Sequence, residues 1–129
     1  MMEGKLVLDT DVVIDYLRGR PEAVLFFKNN SDRSILSAIV VAELYAGVRG
    51  DSEERILDRL LSIHPIIPVT AEIAKAGGLL RRKFGKSHGV DVADAILAAT
   101  AQAENAELAT LNVRHYPMFP GLRPAYARK

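Results

Sequence analysis

Three carboxylates in this sequence stand where solubility alone does not require them. Asp9 closes the apolar run that opens "VLDTDVVIDYL" (7–17), with Asp11 two residues on. Glu43 interrupts the apolar stretch "AIVVAELYAGVR" (38–49), and Asp94 stands near the head of "DVADAILAATAQAEN" (91–105). There is no cysteine, which excludes disulfides, thiol catalysis and cysteine-ligated metal centres. His64, His88 and His115 show no paired metal-ligand spacing and read as loop or helix-end residues. Separated carboxylates without a nitrogen or sulfur set suit a hard cation, Mg²⁺ or Mn²⁺, which keeps several waters and also binds substrate phosphate. The chemistry such an ion serves is attack of an activated water on phosphorus.

Each acid also has an ordinary structural explanation. Asp9 or Asp11 could do no more than cap a helix. Glu43 lies in a stretch that reads apolar almost all round, through Ile39, Val40, Val41, Ala42, Leu44, Ala46 and Val48, so its helix is expected to be buried. A buried carboxylate needs a cation, a metal or hydrogen bonds, and Val40 and Gly47 on its own face offer none. Arg49 falls on a different face; the competing explanation is that Glu43 reaches solvent at the helix edge or pairs with a distant arginine. Asp91 and Asp94, three apart, share a helix face. Acids in a first turn are favoured by the helix dipole, which suits Asp91 as a cap better than it suits Asp94. "RRKFGK" (81–86) is the only dense basic cluster: a helix end explains it, and contact with phosphates would use the same charges.

The elements that must position these groups follow from periodicity and punctuation. "KLVLD" (5–9) reads as a short strand buried on both faces, followed by a helix from Asp11 that Gly19 stops. A second helix spans 21–29 with Pro21 at its first position. "SILS" (34–37) is a strand, and the helix at 38–49 ends before Gly50. Asp51 and Glu54 form a capping box for a helix at 52–63 that ends before Pro65. "IIPV" (66–69) is a strand that Pro68 confines to an edge or a strand end. Thr70 caps a helix over 71–84, an Ala-rich helix spans 91–105, "AELATL" (106–111) is a strand, and "LRPA" (122–125) is a last short edge strand. Strand alternating with helix implies an α/β fold, a mainly parallel sheet covered by helices on both faces. In such sheets ligands bind outside the carboxyl ends of the strands, where Asp9 sits.

The 129 residues suit one domain, 1–129, with a real core. Seventeen basic and 16 acidic residues nearly cancel, so a nucleic-acid partner would need a local basic patch in place of a global field. Charges at Lys5, Asp9 and Asp11 break up any signal-peptide core, and no window approaches the roughly 18 apolar residues of a membrane span. A cytoplasmic location without membrane attachment is the expectation.

Four stretches, "LVLDTDVVIDYL", "SAIVVAELYAGV", "DVADAILAATA" and "LATLNVRHY…FPGL", resemble the successive blocks of PIN domains, specifically those of VapC-type toxins. The resemblance runs from about residue 5 to residue 122. It implies a PIN-like three-layer α/β/α sandwich and a Mg²⁺-dependent endoribonuclease, usually dimeric and held inactive by a cognate antitoxin. Position by position, Asp9, Glu43 and Asp94 match the metal-binding, catalytic acids. Asp11 occupies a position more often filled by Ser or Asn, consistent with a helix cap beside the metal, and Thr110 matches a threonine after the last core strand. The sequence departs from the pattern at Asn112, where many relatives carry aspartate. One Mg²⁺ is therefore expected to bind the protein alone, and a second only when substrate phosphate adds its charge. Arg81, Arg82, Lys83 and Arg114 are the candidates to position RNA phosphates. A homodimer is expected, partly from the resemblance and partly from the apolar excess of the helices at 38–49 and 52–63.

Two other readings compete. "DTDVV" also fits the signature of haloacid-dehalogenase-like phosphatases, with Asp9 as nucleophile and a covalent aspartyl-phosphate, but that leaves Glu43 unexplained. A PIN-like binding module without catalysis would retain the acid trio at an unrelieved electrostatic cost.

Overall fold

Leu6, Val7 and Leu8 form β1 (Leu6–Leu8), and all three are buried. Successive strand side chains point to opposite faces, so β1 must be covered on both sides. The computed structural model describes residues 4–128. After β1 come α1 (Thr10–Leu17), α2 (Pro21–Asn30), β2 (Ser34–Ser37), α3 (Ala38–Gly47), α4 (Gly50–Ser62), β3 (Ile66–Ile67), α5 (Ala71–His88), α6 (Val92–Ala103) and β4 (Glu107–Ala109), then a single 3₁₀ turn over Val113–His115. The strands pair in the order β3-β2-β1-β4, and every pairing is parallel. The α/β class and the parallel sheet expected from the alternation are the observed ones.

That order locates the ligand crevice. The chain steps outward from β1 to β2 and β3, then returns to lay β4 on the other side of β1. The winding therefore reverses between β1 and β4, and the crevice of such a sheet opens beyond their carboxyl ends. Register holds those ends level: Leu8 is opposite Ala109, and the Asp9 amide donates to the Ala109 carbonyl at 2.8 Å. Asp9 and Thr110 are the next residues out.

The core joins β1 and β2 to Val12, Val13, Val40, Leu44, Leu57, Leu97 and Ala98. α6 presents Ala95, Ala98, Ala99 and Ala101, all essentially buried, and α5 packs along it. Gly77 allows that approach, because a Cβ there would come within 3.0 Å of the Ile96 backbone.

Several local expectations are corrected. The first helix begins at Thr10 with Asp9 as its cap, in place of Asp11, because the strand ends with its apolar run at Leu8 and leaves Asp9 free to cap. The capping box at Asp51 and Glu54 does not form. α4 starts at Gly50, whose φ of 73° turns the chain, and Glu53 accepts from the Arg49 amide at 3.0 Å. α5 runs to His88 and stops at Gly89 in the left-handed region, so the basic cluster lies inside a helix. The segment 122–125 is not a strand; one hydrogen bond from the Ala125 amide to the Thr110 carbonyl, 2.9 Å, is too little to extend the sheet. α3 is not a buried helix either: its buried residues are Val40 and Leu44, and Ala42, Glu43, Tyr45 and Ala46 are exposed. Among the described residues no helix is long and apolar enough to cross a membrane.

Candidate active site

Asp9 is 8% exposed and leaves the end of β1 as the cap of α1. Its two oxygens are fixed by three donors. Oδ1 accepts from the Thr10 amide at 2.7 Å, while Oδ2 accepts from the Thr110 hydroxyl at 2.8 Å and the Tyr116 hydroxyl at 2.9 Å. Thr110, fully buried at the end of β4, is itself anchored by the Asn112 amide at 3.0 Å. None of these donors carries a charge, so Asp9 is held in place without being neutralised.

Asp94 arrives from the first turn of α6. Asp91 caps that helix, its Oδ1 accepting from the Asp94 amide at 2.8 Å, as the first-turn argument anticipated. The Asp94 side chain then reaches the same tyrosine: Tyr116 Oη lies 3.2 Å from its Oδ1, and His115 Nδ1 lies 3.0 Å from its Oδ2. His115 Nδ1 is also 3.0 Å from Asn112 Nδ2. A ring nitrogen that donates to Asp94 cannot also accept from that amide; in that tautomer the ring's free acceptor is Nε2, 3.4 Å from Asn112 Nδ2. Glu43 comes in from exposed α3 and accepts from the Thr10 hydroxyl at 2.7 Å. It is at once solvent-accessible and part of the cleft.

Asp9, Thr10, Asp11, Ile14, Glu43, Asp94, Asn112 and His115 together line a cleft of about 240 Å³. Asp11 faces it from the first turn of α1. Its Oδ2 accepts from the Leu111 amide at 3.1 Å, and its buried Oδ1 has no protein partner. Burial, then the charge of Asp9, raises the Asp11 carboxyl to about 6. Burial, then the charges of Asp91 and Asp9, raises Asp94 to about 6 as well. The Tyr116 phenol is pushed far upward by its burial and by both acids, so it remains a donor.

These features bear on whether a cation suits the cleft. The donors are hard oxygens, and burial with mutual repulsion outweighs the relief that His115 gives Asp94 and Arg128 gives Asp11; Asp11 Oδ1 also lacks a hydrogen-bond partner, and added positive charge would ease each of these. Among the described residues no three acidic or histidine side chains are drawn close enough to hold an ion directly. A cation that keeps much of its water shell, as Mg²⁺ does, therefore fits better than one that demands a closed protein cage.

Of the residues singled out in the sequence, Asp9, Asp11, Glu43, Asp94 and Asn112 line one cleft and Thr110 stands directly behind it. Arg114 is exposed on the turn that carries Asn112 and His115. Arg81, Arg82 and Lys83 are exposed on α5 and line no part of the cleft. Sequence reasoning missed Tyr116, His115 and Thr10. The only available signal for Tyr116 was that a buried tyrosine hydroxyl must find a partner; nothing in its irregular surroundings announced the burial.

Comparison with known proteins agrees with this arrangement. A family model described as the PIN domain matches residues 6–117. Ribonuclease VapC19 of Mycobacterium tuberculosis is 43% identical over 124 residues, covering 93% of this chain and 98% of its own. Ribonuclease VapC10 of the same organism is 37% identical over 125 residues, 95% of this chain and 93% of its own. Among solved structures, a toxin–antitoxin complex from Klebsiella pneumoniae aligns with a TM-score of 0.81 at 29% identity, covering 95% of this chain and 98% of that one. A DNA-bound VapBC from Salmonella typhimurium aligns with a TM-score of 0.76 at 24% identity, a likeness of fold, over 95% of this chain and 97% of that one. The family decides against a haloacid-dehalogenase-like phosphatase. By its sequence, its sheet order and the cleft at its switch point, this chain belongs to the PIN domain family.

Proposed function

We propose that this chain is a Mg²⁺-dependent endoribonuclease, with Mn²⁺ as a substitute, and the toxin of a VapBC-type toxin–antitoxin pair. It acts as a single domain, 1–129, in a cytoplasmic homodimer restrained by a cognate antitoxin. The observation that carries the reading is the acid pair Asp9 and Asp94, joined by one neutral hydroxyl and faced by Glu43 across a cleft in which His115, beside Asp94, is the one group able to carry a positive charge. Relatives named as ribonucleases, and structural neighbours that are toxin–antitoxin complexes, support the substrate class and the partner.

Asp9 and Asp94 would hold the ion, with Glu43 bound to it directly or through water. When bound, the ion supplies Lewis acidity that makes water a nucleophile at phosphorus and offsets the charge that builds there. The protein's own groups set the geometry. Thr10 and Thr110 keep Asp9 oriented, and Asp11 ties α1 to the backbone at Leu111. Arg114, on the turn between Asn112 and His115, would meet an RNA phosphate, and Arg81, Arg82 and Lys83 on α5 would offer a second basic strip. No covalent enzyme intermediate would form, because the nucleophile is water and not a side chain.

The test is purified chain incubated with RNA and, separately, with a phosphate monoester, each with Mg²⁺ or with chelator. RNA cleavage that needs Mg²⁺ is expected. Monoester turnover would favour the phosphatase reading, and no turnover of either would leave a binding module.

A further inference from the structure

The residue that joins the two principal acids is one to which the proposed reaction assigns no role. Tyr116 is 1% exposed and its ring belongs to the hydrophobic core. Its hydroxyl lies 2.9 Å from Asp9 Oδ2 and 3.2 Å from Asp94 Oδ1. It is absent from the cleft lining, which includes both acids, so it approaches them from the protein side. We infer that Tyr116 is a positioning residue of the cation site, a buried hydroxyl that sets the spacing of Asp9 and Asp94 from beneath and leaves their cleft-facing lone pairs for a hydrated divalent cation.

Three features carry this. A hydroxyl has one proton and two acceptor lone pairs, so it can donate to one carboxylate at a time; shared between two, it fixes where both sit without cancelling either charge. The Thr110 hydroxyl binds the same oxygen of Asp9 at 2.8 Å, which fixes the inner oxygen and makes the whole carboxylate a rigid unit. The ring is clamped in the core beyond the 3₁₀ turn, so the hydroxyl cannot swing into the cleft and compete with the ion. Groups that orient a metal ligand from behind in this way typically cost 10–100-fold in metal affinity when removed.

This inference rests on the reading of the cleft as a cation site, and its test separates the two. Mg²⁺ is titrated calorimetrically into the metal-stripped full chain and into Tyr116→Phe, which keeps the ring and removes only the oxygen. The dissociation constant is expected to rise by about 10–100-fold in the variant. Melting in Mg²⁺ and in chelator supplies the control: loss of a purely structural hydrogen bond lowers both transitions equally, whereas loss of a positioning residue shrinks the gap between them. The native protein provides a readout that needs no variant. An ion drawing on Asp9 and Asp94 changes the polarisation of the phenol between them, so Mg²⁺ should produce a near-ultraviolet tyrosine difference spectrum. A native protein that takes up no Mg²⁺ overturns the cation site and this inference with it. Native binding with an affinity unchanged in Y116F, or with no tyrosine difference spectrum, overturns the inference alone.

Discussion

The two ends of α1 each hold a buried carboxylate, and they are treated in opposite ways. At the carboxyl end Asp15, 5% exposed, is met by charge. Arg128 grips it with two hydrogen bonds of 3.0 Å, Arg20 Nε stands at 3.5 Å, and the Tyr126 hydroxyl donates at 2.8 Å. At the amino end, Asp9 receives two hydroxyls and a backbone amide, and Asp94 joins it through one of those hydroxyls. Among the described residues no lysine or arginine pairs with Asp9, Asp11, Glu43 or Asp94. A buried carboxylate that serves the fold is paired with a cation; one held by neutral donors leaves room for a cation to come. Asp15 ties the C-terminal segment to the domain, while the acids around Asp9 are kept in order and short of positive charge.

Removing a charge from the amino-end site should have the largest effect on function. Asp9→Asn keeps the shape and the acceptor at Oδ1 but loses the anion. RNA cleavage is expected to fall by at least ~10²-fold, the scale of deleting one preorganised electrostatic group, with the circular dichroism spectrum intact. Retained cleavage would break the distinction between the two ends.

The reverse experiment strips the compensated site. Arg128→Ala leaves Asp15 with Arg20 and Tyr126 only. Removing one partner of a fully buried pair costs roughly 3–5 kcal/mol. Arg128 is 49% exposed, so about 1–2 kcal/mol is expected here. The drop in melting temperature should be the same in Mg²⁺ and in chelator. A loss confined to one condition would mean that the two ends are not independent.

A pH series sharpens the contrast without mutation. Asp11 and Asp94 are raised from 3.8 to about 6, in both cases first by burial. Between those values the folded chain binds more protons than the unfolded one, so this contribution to stability is full below about pH 4 and is lost as pH rises through 6. In chelator, the melting temperature should fall between pH 5 and pH 7.5 through these groups, and Mg²⁺ should recover the loss at pH 7.5. An identical pH profile with and without Mg²⁺ would contradict the cation's role.

The smallest effect concerns Asn112, which lines the cleft beside His115. Asn112→Asp adds one anion to the cleft. Calorimetry without RNA should show one Mg²⁺ site in the native chain and tighter binding or a second site in the variant. Two strong native sites, lost on Asp91→Ala, would mean that Asp91 does more than cap α6.

How far the sequence reached depends on whether a signal was local. Asp9, Glu43 and Asp94 stood out because each acid interrupts or heads an apolar stretch, and the alternation of elements was enough to indicate a parallel sheet. The cap at Asp91 was legible because an acid just before a helix, three residues ahead of a first-turn amide that needs an acceptor, is a local pattern. Glu43 was singled out for burial it does not have: composition made α3 look apolar all round, but geometry buries only Val40 and Leu44. Tyr116 and the Arg128–Asp15 grip join positions more than a hundred residues apart in the chain, to Asp9 and Asp15 respectively. They lie in irregular segments without periodicity, so nothing local could reveal them. The misplaced cap at Asp11 and the missing strand at 122–125 are boundary errors of the kind that arise where two acids, or a few apolar residues, could each serve.

The most direct test is the melting temperature of the native chain at pH 7.5 across a Mg²⁺ titration, with Asp9→Asn beside it. Binding to the folded state alone stabilises it by about 2.7 kcal/mol at one hundred times the dissociation constant. The melting temperature of the native chain should therefore rise steadily with Mg²⁺, and that of Asp9→Asn should stay flat. A native melting temperature that does not move with Mg²⁺ would contradict the claim that the amino end of α1 is built to take a cation.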